Sequence, residues 1–132
     1  LGAKLKTAED LMIRGKKIPF INQNLDMNNA LKIMRKSNVG VLIVRNKNKT
    51  VGIISDGDIK RIKNKNNDFK RLVAKKIMNL NPISIKKDML AAQALSVMNS
   101  KKITCLCVHN KNNKNRTIGI LTIHNILKAN IQ

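Results

Sequence analysis

The chain has 132 residues, with 27 Lys and Arg against 7 Asp and Glu, a formal net charge of +20, and neither Trp nor Tyr. That length holds one compact domain or two half-sized modules sharing a core, and no run approaches the roughly 18–20 apolar residues of a membrane-spanning helix. The charge invites a nucleic-acid reading, but 21 of the 27 basic residues are Lys, they run from Lys4 to Lys128 without one dense block, and only Phe20 and Phe69 could stack on a base, so nucleic-acid binding is not expected.

Lys, Asn and Ile together supply 58 of the 132 residues, as an AT-rich coding sequence would, so charge alone assigns no partner beyond a general pull on phosphorylated ligands. Residues 1–7 fall outside any pattern and read as a connection from an upstream domain. A short helix is expected over 8–12, a strand over 18–21, and a helix over 26–37 with Ala30, Leu31, Ile33 and Met34 on its apolar face. Strands over 40–44 and 51–55 follow, joined by a turn at 46–49, and then a helix over 56–63 and a polar linker over 64–68.

The same order then recurs. Ala30-Leu31-Lys32-Ile33-Met34 aligns with Ala94-Leu95-Ser96-Val97-Met98 at an offset of 64, and Val51-Gly52-Ile53-Ile54-Ser55 with Ile118-Gly119-Ile120-Leu121-Thr122 at an offset of 67. The three extra residues fall in the polar run 110–116, where a turn tolerates insertion. Ala8-Glu9-Asp10-Leu11-Met12 likewise matches Ala74-Lys75-Lys76-Ile77-Met78. The second copy predicts strands over 83–85, 104–108 and 117–122 and helices over 88–100 and 123–129. Strands such as Val41-Leu42-Ile43-Val44 are apolar on both faces and need cover on both. The expectation is an α/β (α+β) fold of two β-α-β-β-α units, residues 8–66 and 67–132, packed as one pseudo-twofold module.

Cys105 and Cys107 alternate onto one face of a buried strand, too far apart to bridge without distortion, so free thiols in a reducing, cytoplasmic compartment are expected. Adding His109 does not complete a tetrahedral shell, and no metal or cofactor is expected. The most informative stretch is Gly52-Ile53-Ile54-Ser55-Asp56-Gly57-Asp58, a strand running into a helix. Ser55 and Asp58 have the spacing of a capping box. The same helix start offers free N–H groups and a positive dipole end to a phosphate, and Asp58 an acceptor to sugar hydroxyls. The second copy keeps the hydroxyl at Thr122 but has Asn125 for the carboxylate, with His124 between them as a polar surface residue. Pro19 and Pro82 shape the strands that lead into each copy, and Lys60 and Arg61 are free to neutralise an anion or to stay solvated.

A duplicated β-α-β-β-α unit ending in Gly-h-h-Ser/Thr-x-x-Asp resembles the tandem CBS domain. Leu1-Gly2-x-Lys4-Leu5, Asp10-Leu11-Met12, Ile18-Pro19, Ser55-Asp56-Gly57-Asp58-Ile59-Lys60-Arg61 and Arg71-Leu72 are similar to the C-terminal part of KpsF/GutQ-type D-arabinose 5-phosphate isomerases. The resemblance implies a non-catalytic regulatory module attached to an upstream sugar-isomerase (SIS) domain, which interconverts ribulose 5-phosphate and arabinose 5-phosphate for Kdo and lipopolysaccharide synthesis. It implies ligand contacts at Ser55 and Asp58, with Ile18 and Pro19 beside them, and at Thr122, His124 and Asn125, for an adenine nucleotide or CMP-Kdo. It further implies homodimers through the CBS pairs and a tetrameric parent enzyme. The departure at Asn125 implies an altered second site.

Overall fold

The apolar stripe at 30, 31 and 34 becomes the buried face of a helix, and the continuous apolar runs become central strands. The computed structural model describes residues 5–130, so Leu1, Gly2 and Lys4 of the motif above lie outside the described residues. In chain order the elements are α1 (Ala8–Leu11), β1 (Ile13–Arg14), β2 (Phe20–Asn22), α2 (Met27–Ser37), β3 (Val41–Asn46), β4 (Lys49–Ser55) and α3 (Asp56–Lys65). They continue with β5 (Asn79–Leu80), β6 (Ser84–Lys86), α4 (Ala91–Lys101), β7 (Cys105–His109), β8 (Thr117–Thr122) and α5 (Ile123–Lys128). The duplicated β-α-β-β-α order and the mixed α+β class are as expected.

The chain forms two compact units, one from Lys16–Pro82 and the other from the segment up to Gly15 together with the chain from Ile83 onward. In the contiguous unit a four-stranded sheet has the order β2-β3-β4-β5. The β2–β3 pair is parallel and its crossover is α2, while β3–β4 and β4–β5 are antiparallel. Asp26 caps α2 by accepting the Asn29 N–H at 3.0 Å. The helix stops at left-handed Asn38, and Gly40, at φ +88°, makes the turn into β3. One sheet face closes on α2 through Met27, Ala30, Leu31, Met34, Leu42, Val44 and Ile54, with Ile59 and Phe69 completing the cluster. Each of these side chains larger than alanine contributes about 1.5–3 kcal/mol on burial. Val41 and Ile43, which alternate onto the other face, are buried too.

The discontinuous unit repeats the arrangement in the order β1-β8-β7-β6. Its core joins Ala8, Ile85, Ala91, Ala94, Met98, Leu106, Val108, Leu121 and Ile126. The sheet edges were not foreseen from the sequence. β1, in the lead-in segment of the first repeat, pairs antiparallel with β8 of the second, Ile13 opposite Ile120, and β5, in the lead-in segment of the second repeat, pairs with β4 of the first, Ile53 opposite Asn79. Two glycines make these pairings possible. A Cβ on Gly52 would stand 2.5 Å from Met78 Sδ, and one on Gly119 would collide with the Met12 thioether, so each lead-in methionine lies in a notch that only glycine leaves open.

Two boundaries differ from expectation for the same reason. The helix expected from 88 starts at Ala91, because residues 87–89 turn back and are tied to the lead-in segment, with Ala8 N–H donating to Met89 C=O, Glu9 N–H to Lys87 C=O and Leu90 bridged to Thr7. The helix expected at 74–78 shortens to a 3-10 turn at Ala74–Lys76, where Ala74 N–H donates to Leu25 C=O and Lys75 N–H to Gln23 C=O.

Candidate functional site

Ser55 ends β4 and is the N-cap of α3, which places Asp58 on the first turn. Asp58 N–H donates to Ser55 Oγ at 3.2 Å, while Ser55 N–H and O–H donate to Asp58 Oδ2 at 3.0 and 2.8 Å. The capping box expected from Ser55-x-x-Asp58 is therefore formed. It is extended by two residues that local spacing does not single out. Asn79 Nδ2, on β5, donates to the same Oδ2 at 2.7 Å, and Arg61 pairs with Oδ1 at 2.5 Å. Burial pushes the Asp58 carboxyl up, but the Ser55 N–H and O–H and the Arg61 guanidinium outweigh it and hold the group below its ordinary value, so Asp58 is an anion at neutral pH.

Ile18 and Pro19 are both buried and lie beside β3, where Ile43 N–H donates to Pro19 C=O at 2.9 Å. Since Val41 of β3 is opposite Ser55 of β4, residues 18–19 and Ser55 come to the same end of one sheet, on either flank of β3. Asp56 N–H donates to Gly40 C=O there, and Asp56, Gly57 and Lys60 are exposed. The turn thus presents an anchored carboxylate, exposed backbone and a cationic rim.

In the discontinuous unit, Thr122 caps α5 in the same way. Thr122 N–H and O–H donate to Asn125 Oδ1 at 3.0 and 2.8 Å, and Asn125 N–H donates to Thr122 Oγ1 at 3.1 Å. A backbone N–H demands an acceptor, so the amide oxygen takes the cap and the outward atom is Nδ2, a donor, where Asp58 presents an acceptor. His124 is exposed beside it, and neither Asn79 nor Arg61 has an equivalent: Ile13 and Lys128 stand at those positions.

Cys105 and Cys107 are free thiols, both pushed up by burial, Cys107 to about 11. Among the described residues no three His, Cys, Asp or Glu side chains gather as a metal site, and no helix is long and apolar enough to cross a membrane.

The strand-to-helix turn with its Ser/Thr-x-x-Asp/Asn cap occurs once in each of two matches to the CBS domain model, residues 8–65 and 74–131, and the chain belongs to the CBS domain family as a tandem pair. Among curated proteins it is similar to arabinose 5-phosphate isomerase KdsD of Salmonella typhimurium, 29% identical over 133 residues covering 99% of this chain. The chain spans 40% of the length of that relative. Among solved structures it resembles CBSX2 in complex with AMP, with a TM-score of 0.79 and 23% identity over 94% of this chain and 95% of that one. It also resembles the CBS domain pair of protein MJ0100 in complex with 5-methylthioadenosine and S-adenosyl-L-methionine, with a TM-score of 0.80 and 23% identity over 94% of each chain.

Proposed function

We propose that this chain is the ligand-sensing region of a D-arabinose 5-phosphate isomerase, with residues 8–66 and 67–132 as its two CBS repeats and the chemistry carried by a separate sugar-isomerase domain. In this reading the parent is a cytoplasmic enzyme that interconverts ribulose 5-phosphate and arabinose 5-phosphate for Kdo and lipopolysaccharide synthesis, and the CBS pairs dimerise and help it form a tetramer. The ligand is an adenine nucleotide or a nucleotide sugar such as CMP-Kdo. Likeness to KdsD along nearly the whole chain supports the parent, and the adenosine ligands of CBSX2 and MJ0100 support the ligand class.

The observation that carries the ligand reading is the state of Asp58, an ionised carboxylate with one edge anchored by three donors and the other paired with an exposed arginine. Asp58 Oδ1 takes the ribose hydroxyls, and Ile18 and Pro19 flank the base. The phosphate meets the Gly57 N–H at the start of α3, since the Asp56 and Asp58 N–H groups are already given to Gly40 C=O and Ser55 Oγ. Ser55 acts there as an acceptor and positioner, because its one proton is committed to Asp58. Thr122, His124 and Asn125 form a second, weaker position suited to an acceptor group on the ligand. Calorimetric titration of AMP and CMP-Kdo into the chain, with Asp58→Ala as control, tests this. Binding at micromolar concentrations that Asp58→Ala abolishes is expected, and no heat with either ligand sinks the reading.

The closed cap favours a second reading, since Ser55 and Asp58 satisfy one another without a ligand. The pair would then be a structural oligomerisation module. Under it Asp58→Ala lowers the melting temperature, by the equivalent of about 1 kcal/mol, and no nucleotide raises it.

A further inference from the structure

The two edges of the Asp58 carboxylate differ in a way that bears on which ligands the first-copy site admits, an inference that rests on the nucleotide reading above. Oδ2 is fixed by three donors, Ser55 N–H, Ser55 O–H and Asn79 Nδ2, two from the cap itself and one from the sheet edge. Among the described residues Oδ1 has Arg61 alone. The Asp58 side chain is 12% exposed and the Arg61 side chain 58%, so the acceptor that sugar hydroxyls need is covered by a flexible, solvent-facing cation. Helical side chains lean back toward the N-terminus, which keeps the guanidinium within reach of the first turn of α3 even when it leaves the carboxylate.

Opening this pair is unequal for different ligands. A neutral nucleoside that takes Oδ1 leaves the guanidinium without a counter-anion, since among the described residues Arg61 has no other ion-pair partner. A ligand that brings its own phosphate supplies a replacement anion at the helix start, and a guanidinium binds phosphate as well as carboxylate. We infer that Arg61 is a latch on Asp58 that makes the first-copy site select phosphorylated over unphosphorylated nucleosides, with Asn79 pinning the carboxylate while the latch exchanges partners. The second copy has no latch, because Asn125 carries no charge to hold one and Ile13 stands where Asn79 would be.

The experiment is titration of AMP and of adenosine into the wild-type chain, Arg61→Gln and Arg61→Lys. Wild type is expected to prefer AMP by at least about tenfold. Arg61→Gln is expected to bind adenosine more tightly and to lose most of that preference, with Arg61→Lys between the two. An AMP-to-adenosine ratio that Arg61→Gln leaves unmoved overturns the latch while leaving the nucleotide site standing. Absence of heat from both ligands with all three proteins overturns the adenine-nucleotide reading of the site and the latch with it. Carboxyl-carbon NMR titration of Asp58 without ligand gives an independent reading: Arg61→Gln must raise its midpoint, and no change removes the ion pair on which the inference rests.

Discussion

At the scale of single residues, the buried histidine of the second copy makes stability depend on pH. His109 is 2% exposed on β7, with Nδ1 2.6 Å from Ser84 Oγ. Burial, and then the charges of Lys114 and Lys86, disfavour the imidazolium and hold its pKa below 6.5. The unfolded chain therefore takes up a proton near pH 6.5 while the folded chain resists until lower pH, so stability present above pH 6.5 is lost as pH falls through that window. The melting temperature should drop between pH 7.5 and 5.5, and His109→Gln should flatten that slope. A wild-type profile flat over this range would contradict it. The depressed carboxylates Asp10, Asp26 and Asp58 act in a separate window, since their contribution is present above pH 3.8 and lost only below it.

At the scale of elements, the glycine notches decide whether the short edge strands can seat. Gly52→Ala drives a methyl group into Met78 and should cost about 1–3 kcal/mol in a denaturant titration. In a Met78→Ala background the same change should cost much less, and equal costs in both backgrounds would show that the notch is not the reason. This is also where legibility from sequence divides. The Ser55-x-x-Asp58 and Thr122-x-x-Asn125 caps and the duplicated strands were readable because their partners lie within three or four residues or repeat at a fixed offset. β1 and β5 were not, because two residues carry no period and β1 finds its partner on β8, far along the chain. Asn79 and Arg61 were missed as partners of Asp58 for a related reason. Asn79 is 21 residues away, and its one signal was a polar residue where the other repeat has Ile13. Arg61 was noted beside Asp58, but spacing alone does not separate a partner from a solvated cation.

At the scale of the whole molecule, a net charge of +20 meets only two ion pairs among the described residues, Arg61–Asp58 and Lys87–Glu9. Self-repulsion should therefore weaken the folded state at low salt. Raising NaCl from about 20 to about 300 mM shortens the screening length from roughly 20 to 6 Å and should raise the melting temperature; a decrease would argue against net repulsion. The interleaved sheet edges have a further consequence, for the order in which a nascent chain can fold. Lys16–Pro82 is complete once Leu80 has emerged, whereas Ile13 must wait for Ile120, more than a hundred residues later and roughly 5–20 s of synthesis. Over the last 40 residues of that wait, from Leu80 to Ile120 and roughly 2–8 s of synthesis, α1 and β1 stand unclaimed ahead of a finished unit, so the last strand made is the one that gathers in the first.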